Sequence, residues 1–156
     1  MHMLAATTTC HTQLNVSTER PTQFVDLTPR ILSFVRDSGI HTGFVNIQTL
    51  HTTTAIVLNE HEPLLLDDFT VLLDRVVPDH GGYRHDEPGL RTVNLTPDER
   101  VNGHSHCRAL LLSSSVCLNV LDGKPQLGRW QRLFLVELDG PRDRQISVLV
   151  FGEASR

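Results

Sequence analysis

The sequence predicts an α+β fold in which most strand pairs are antiparallel. Strand-like segments come in pairs and triples with helical segments between them, which differs from the regular alternation of an α/β fold. The turn sequences Asp122-Gly123-Lys124 and Asp139-Gly140-Pro141 separate the last three strand-like segments, as hairpin turns would. These turn signals count against the second-ranked interpretation, a doubly wound α/β fold.

The chain length fits one domain with a hydrophobic core of its own. With 156 residues, 39% of them hydrophobic and 21% charged, the composition is ordinary for a globular protein. We expect a frayed segment over residues 1–9 and a single domain over residues 10–156.

Residues 10–60 predict four strands and one short helix. Polar and apolar residues alternate in His11–Val16 and Gln23–Leu27, as in half-buried strands. Thr28-Pro29 suits the N-cap and first position of a helix, and Gly39 ends it. Segments rich in β-branched residues predict the next two strands: Gly43–Leu50 and Thr54–Asn59.

The remaining sequence predicts two helices, one long loop and three strands. Apolar residues at helical spacing follow Pro63 until Pro78 ends the helix. Residues 78–102 are rich in glycine and proline, and a loop that long inside a domain is usually functional or disordered. The last predicted elements are a helix and three strands: His104–Leu112, Val116–Leu121, Trp130–Leu138 and Gln145–Phe151.

Composition argues against several classes of partner. The net charge of −4 is opposite to the basic surface that nucleic-acid binding requires. No apolar run is long enough to span a bilayer, and residues 1–9 lack the pattern of a signal peptide. Three widely spaced cysteines without a CxxC pair are typical of reduced thiols. We therefore expect a cytoplasmic protein with no nucleic-acid or membrane partner.

Histidine is unusually abundant, with nine residues. His51, His85 and His106 lie on three separate predicted elements, without a short metal-ligand spacing such as HExxH. Neutral imidazoles from different elements, together with a water, do form catalytic zinc sites. The alternative is that each histidine is structural, at a turn, in a solvated loop or in the core.

The acidic residues near the second helix also have two interpretations. Glu60 lies just before Pro63, at the entry of the predicted helix. Acidic residues are ordinary there because they interact favourably with the helix dipole. The alternative is that Glu60 faces a cavity. Asp67 and Asp68 are adjacent on the helix and cannot share a face, so at most one points toward that cavity.

The segment around the single tryptophan is the second candidate region. Arg142 and Arg144 are two residues apart, so on a strand they share a face and would bind a phosphate. The alternative is that they pair with Glu137 or Asp139. Trp130 is either a core residue of a hairpin or the wall of a polar cleft.

Taken in order, these residues resemble the YjbQ family of small, largely uncharacterised bacterial and archaeal proteins. The similarity runs from about His41 to Gly152, and each piece alone is weak while the ordered set is specific. It is carried by these segments: His51-Thr52-Thr53, Asn59-Glu60, Asp67-Asp68, Pro78 with Tyr83-Arg84-His85, His106, Leu127-Gly128, Trp130-Gln131, Glu137 and Arg144.

The resemblance implies an α+β homotrimer with a polar cleft near the subunit contacts. It also implies a secondary thiamine-phosphate synthase, a transferase that condenses a pyrimidine pyrophosphate with a thiazole phosphate. The alternative is a metal- or small-anion-binding homotrimer whose synthase activity is incidental.

The residue roles follow from the resemblance and the charges together. Glu60 and His106 would be catalytic, and the three histidines His51, His85 and His106 would bind Zn²⁺ or Mg²⁺ or contact the leaving group. The small phosphorylated metabolite would be bound by Trp130, Glu137, Arg142 and Arg144. Two departures bear on the substrate: Arg129 replaces the usual threonine, and Asn102-Gly103-His104-Ser105 replaces a more acidic run.

Overall fold

Two antiparallel sheets and three α-helices form the scaffold, which confirms the predicted α+β class. The computed structural model describes residues 7–98 and 100–154. Its elements are β1 (Thr7–Ser17), β2 (Gln23–Asp26), α1 (Thr28–Asp37), β3 (Ile40–Thr49), β4 (Thr54–Glu60), α2 (Pro63–Val76), a 3₁₀ turn (Arg84–Asp86), α3 (Gly103–Leu111), β5 (Ser115–Leu121), β6 (Lys124–Pro125), β7 (Gln131–Glu137) and β8 (Asp143–Ala154).

The strands divide between a five-stranded sheet, in the order β1-β8-β3-β5-β6, and a three-stranded sheet, in the order β2-β7-β4. The prediction of hairpins among the last three strands is therefore largely wrong. The Asp122-Gly123 turn does form a hairpin, but its second strand is the short β6. β7 pairs with β2 and β4, whereas β8 pairs with β1 and β3.

The physical reason is that the connection from β7 to β8 bonds to another segment of the chain. The Gly140 N–H donates to the Pro21 carbonyl at 3.1 Å, and the Thr18 N–H donates to the Arg142 carbonyl at 2.9 Å. A Cβ on Gly140 would lie 2.2 Å from the Arg20 carbonyl oxygen, so this close approach requires glycine. The connection thus crosses from one sheet to the other.

The core lies between the sheets and continues on the other side of β7. Apolar side chains of β3 and β8 pack with those of β4, β7 and α1, including Ile31 and Val35. On the opposite face of the three-stranded sheet, Phe134 and Val136 pack with Leu73 of α2. β7 is buried from Leu133 to Glu137, so a carboxylate ends a strand that is otherwise apolar in its interior.

The start of β1 is paired with the end of β8. Residues 7–9, which were expected to be frayed, pair with Phe151–Glu153 at the start of β1, while residues 1–6 lie outside the described part. No helix in the described ranges is long and apolar enough to cross a membrane.

Candidate functional site

A cleft of about 380 Å³ opens where the long loop meets the crossing between the sheets. Four of the predicted site residues line it, since His51, His106, Arg142 and Arg144 all contribute to its wall. The complete lining of described residues is Leu50, His51, Thr52, Thr53, Arg91, Thr96, Asp98, Arg100, Asn102, His106, Asp139, Arg142 and Arg144. The sequence therefore predicted residues that the fold brings together from distant positions.

What we call the floor of the cleft is the buried ion pair between Glu137 and Arg144, of which Arg144 lines the cleft and Glu137 lies behind it. Glu137 is fully buried and Arg144 is 3% exposed. The guanidinium Nε and Nη2 donate to the two carboxylate oxygens at 2.6 and 2.5 Å. Nη2 also donates to the Thr53 hydroxyl at 3.1 Å. Arg144 is thus held by Glu137, as the pairing alternative predicted, and it positions the Thr53 side chain.

Glu137 is saturated with donors. Its oxygens also accept from the Thr18 hydroxyl at 2.9 Å and from the backbone N–H groups of Leu138 and Asp139 at 2.9 and 2.8 Å. Burial by itself raises the pKa of Glu137. The hydrogen bonds and charge of Arg144, the Asp139 backbone N–H and the Thr18 hydroxyl outweigh burial and lower the pKa. The carboxylate is therefore ionised at neutral pH.

Arg142 lies at the rim of the cleft. Its Nη2 contacts the Asp139 carboxylate at 2.9 Å, and its Nε donates to the Asp139 carbonyl at 3.2 Å. The Asn102 amide donates to the same carboxylate at 3.0 Å. Asp139 therefore ties the rim arginine to the start of α3.

Two arginines of the long loop, Arg91 and Arg100, line the cleft but were not among the site residues predicted from the sequence. Arg91 and Arg100 bring the described lining to four arginines, against Asp98 and Asp139 in the lining and Glu137 behind it. A concave surface with this excess of guanidinium groups attracts anions. The overall charge of −4 hides this local excess, and the only sequence signal was that basic residues occur in a long loop rich in glycine and proline.

His51 is held as a neutral imidazole. Its Nε2 accepts a hydrogen bond from the Gln145 backbone N–H at 2.8 Å, so the ring proton lies on Nδ1. Burial lowers the pKa of His51, the charges of Arg144 and Arg142 lower it further, and Glu137 partly opposes them. The ring is an uncharged member of the cleft wall at pH 7.

His85 and His106 meet even though they come from separate elements. Their ring centroids are 4.7 Å apart with an interplanar angle of 60°. The Asp86 carboxylate beside His85 accepts from the N–H groups of Asn102 and Gly103 at 3.0 and 2.8 Å, which fixes the 3₁₀ turn on the start of α3. His106 lines the cleft, and His85 lines a smaller neighbouring cavity.

The described donors do not form the predicted three-histidine metal site. Among residues 7–98 and 100–154, no group of three histidine, cysteine or acidic side chains is arranged to hold a metal ion. Nε2 of His51 is occupied by the Gln145 N–H, and Nε2 of His85 lies 3.1 Å from the Arg91 guanidinium. A guanidinium group is only a hydrogen-bond donor, so Nε2 of His51 and Nε2 of His85 both already accept a hydrogen bond.

Glu60 and Trp130 are not brought to the cleft of the same chain, contrary to expectation. Thr54 of β4 pairs with Glu137, whereas Glu60 pairs with Gln131, beside Trp130. Seven residues of strand place this end about 20 Å from Glu137. Trp130 precedes β7, is 60% exposed and lies under the Arg129 guanidinium, 4.7 Å from the ring centroid.

Asp67 and Asp68 are likewise absent from the lining of the cleft. Both side chains are exposed on α2. Within one chain, therefore, neither Asp67 nor Asp68 faces the cleft.

Known proteins share both this sequence and this fold. A sequence model of the family described as "UPF0047 protein YjbQ-like" matches residues 12–153. The chain belongs to the YjbQ family. A UPF0047 protein of Methanothermobacter thermautotrophicus is 37% identical over 141 residues, which cover 90% of this chain and 91% of that protein. The YjbQ protein of Escherichia coli O157:H7 is 30% identical over 71% of this chain and 75% of its own length.

Solved structures of the family have the same fold. A YjbQ-like protein of unknown function from Sulfolobus solfataricus P2 superimposes with a TM-score of 0.85 at 34% identity, covering 95% of this chain and all of that one. A hypothetical protein from Aeropyrum pernix K1 gives a TM-score of 0.81 at 30% identity, over 92% and 98% of the two chains. These similarities support the family resemblance and the α+β fold.

Proposed function

We propose that the cleft binds a small phosphorylated metabolite and that this YjbQ-family chain is a transferase of the thiamine-phosphate synthase type. The observation that carries the proposal is the excess of arginine over acid around the 380 Å³ cleft. Guanidinium groups match phosphate oxygens in charge and in the geometry of two parallel hydrogen bonds. A diphosphate and a phosphate ester are both ligands of this class.

The proposed reaction joins a pyrimidine pyrophosphate to a thiazole phosphate. The bond between the pyrimidine methylene carbon and the diphosphate oxygen breaks, and its electron pair leaves with pyrophosphate. The lone pair of the thiazole nitrogen then forms the new carbon–nitrogen bond, which makes the thiazole ring a cation. This reaction needs neutralisation of the leaving group more than it needs a protein nucleophile.

The roles of the cleft residues follow from their contacts. In the proposed reaction, Arg142 at the rim and Arg100 on the loop neutralise the departing pyrophosphate, and both residues line the cleft. The Glu137–Arg144 pair keeps the floor rigid, because Nε and Nη2 of Arg144 bond both carboxylate oxygens and Nη2 also bonds Thr53. The neutral ring of His51 adds a hydrogen-bond donor without adding charge, and His106 contacts the leaving group.

The test is to supply purified protein with both substrates and Mg²⁺ and to measure thiamine phosphate by chromatography. Arg142→Gln and His106→Ala should lower kcat/KM by about a hundredfold, as loss of a transition-state donor does. The matched controls are Arg36→Gln and His80→Ala, because both residues are exposed and neither lines the cleft. Equal rates for cleft and control variants would reject the site.

The rival function is a metal- or small-anion-binding role with only incidental synthase activity. The same arginine excess favours the anion-binding half of this alternative. Retention of phosphate or metal without turnover would support it. Metal analysis of protein purified without a histidine tag tests the metal half: stoichiometric zinc that is lost in His51→Ala would establish a histidine-bound metal.

We also propose that the chain acts as a cytoplasmic homotrimer, as the family resemblance implies. Large apolar side chains on α2 and α3 are exposed in the single chain and would be covered by an assembly: Leu64, Leu72, Val76, Leu110 and Leu111. Light scattering during size-exclusion chromatography should give three times the mass of the chain, and the monomer mass would contradict the assembly.

A further inference from the structure

The outer edge of β1 is a long row of backbone groups at the side of the five-stranded sheet. β1 is the first strand of that sheet, and within the described ranges its only strand partner is β8. The ladder between them runs over 11 residues, from Thr7 opposite Glu153 to Ser17 opposite Asp143. At about 3.3 Å per residue, the edge that faces away from β8 is about 36 Å long.

The hydrogen bonds around β1 show which residues face this edge. In an antiparallel pair, the N–H and C=O groups of alternate residues point to the same neighbour. The Thr18 N–H donates to the Arg142 carbonyl at 2.9 Å, so the even-numbered residues of β1 face β8. The Asn15 carbonyl agrees with this, because it accepts from the Arg30 side chain at 2.9 Å on the other side. Before Asn15, the outward groups therefore belong to Thr7, Thr9, His11 and Gln13.

The other sheet edges are protected in ways that β1 is not. β6 is 2 residues long and includes Pro125, which has no N–H, and β2 is 4 residues long. β4 is covered where the Ile56 N–H donates to the Ser113 carbonyl at 2.8 Å. Natural sheets protect a long edge with charge, proline or a bulge. The β1 ladder has no register shift, and residues 1–18 include no Asp, Glu, Lys, Arg, Gly or Pro. Such an edge favours pairing with another strand.

A second copy of β1 fits this edge. Antiparallel pairing of two identical strands places a twofold axis between them, so each copy offers the same groups to the other. Like charges directly opposite each other destabilise a strand pair, and β1 carries no acidic residue, lysine or arginine that would repel its own copy. The same neutrality gives the edge nothing with which to select a foreign strand by charge.

We propose that two copies of the protein associate by antiparallel pairing of their β1 strands over Thr7–Gln13, which joins two five-stranded sheets into one continuous sheet. The Arg30 side chain on the Asn15 carbonyl sets one end of the pairing. The contact covers about 23 Å of strand, so the association is weaker than that of an obligate dimer. It depends neither on the proposed reaction nor on the trimer, because each contact joins one β1 to another.

The experiment measures the weight-average mass by sedimentation equilibrium from low to high micromolar protein, for the unmodified chain and three variants of the exposed residue Thr9. Thr9→Pro removes an outward N–H from each copy, so the contact loses two hydrogen bonds. Thr9→Lys keeps the N–H and gives both copies a like charge. Thr9→Val keeps the N–H and the neutral side chain, and it is the matched control.

The mass of the unmodified protein should rise with concentration to at least twice its value at low concentration. Thr9→Pro and Thr9→Lys should each raise the dissociation constant by about tenfold or more, and added salt should partly restore association in Thr9→Lys alone. Thr9→Val should leave it unchanged. A constant mass for the unmodified protein, or association that survives in both Thr9→Pro and Thr9→Lys, would overturn the proposal.

Melting temperatures test the direction assigned to β1. Thr9→Pro should stay close to the unmodified protein, because its lost N–H faces away from β8. Thr12→Pro should melt at a clearly lower temperature, because the Thr12 N–H faces β8. If the two proline variants are destabilised alike, the outward direction of Thr9 is wrong and the proposed pairing fails with it.

Discussion

Replacing Glu137 by glutamine isolates the energetic value of the buried ion pair. The carboxylate receives five donated hydrogen bonds: two from Arg144, one from Thr18 and one each from the N–H groups of Leu138 and Asp139. Glutamine keeps the shape but replaces one oxygen by an NH₂ group, which then faces donors. At either oxygen position the NH₂ group meets an Arg144 N–H, and the guanidinium is left buried with no neutralising charge.

The expected loss of stability is about 3–5 kcal/mol, the usual effect of removing one partner of a buried pair. Urea denaturation monitored by circular dichroism measures it. The double variant Glu137→Gln with Arg144→Met removes the stranded charge and should recover most of the loss. A single variant within about 0.5 kcal/mol of the unmodified protein, the range of ordinary surface substitutions, would refute this account of the floor.

Two further predictions concern pH and the start of α3. The folded-state pKa values of His51 and Glu137 are both lowered, so the folded protein binds fewer protons than the unfolded chain. Stability should therefore fall first as the pH drops below 6.5, the ordinary value for His51, and again below 4.5, the ordinary value for Glu137. Denaturation midpoints measured from pH 8 to pH 3 check this, and His51→Gln should flatten the first decline; stability that rises on acidification would contradict the assignment. Gly103→Ala should destabilise the protein by about 1–3 kcal/mol, because its Cβ would lie 2.5 Å from the Tyr83 Cβ and 2.9 Å from an Asp86 carboxylate oxygen. Gly128→Ala is the control, since its Cβ would meet only the flexible end of Gln131, and thermal unfolding that ranks the two alike would contradict the close packing.

The sequence predicted local structure well because the deciding signals are local. Pro63 begins α2, and Glu62 caps it by accepting from the N–H groups of Leu64 and Leu65. Alternation and β-branching marked the strands, with end points that moved by a few residues. Pairing is not a local property. The Asp139-Gly140-Pro141 segment has the composition of a hairpin turn, yet its hydrogen bonds go to residues 18–21 and lead the chain into the other sheet.

The difference between local signals and long-range pairing also explains which site residues were predicted correctly. Arg142 and Arg144 both line the cleft, but not through the shared strand face that their spacing predicted, because Arg142 precedes β8. Order along the chain was enough to select His51 and His106, which also line it. Glu60 and Trp130 were misplaced because the direction of β4 and β7 decides which end of a strand meets the cleft. That direction depends on a pairing between residues far apart in sequence.

The crossing between the sheets is also what makes the cleft polar. A hairpin at Gly140 would have placed β8 beside β7 and set Arg144 in the same sheet as Glu137. Instead the chain leaves β7 just after Glu137, and Arg144 comes from the other sheet to meet that carboxylate at the edge of the core. The pair holds Thr53, the charge of Arg144 helps keep His51 neutral, and Asp139 ties Arg142 to α3. The long loop then adds Arg91 and Arg100 above this floor, so the described wall of the cleft carries more arginine than acidic side chains.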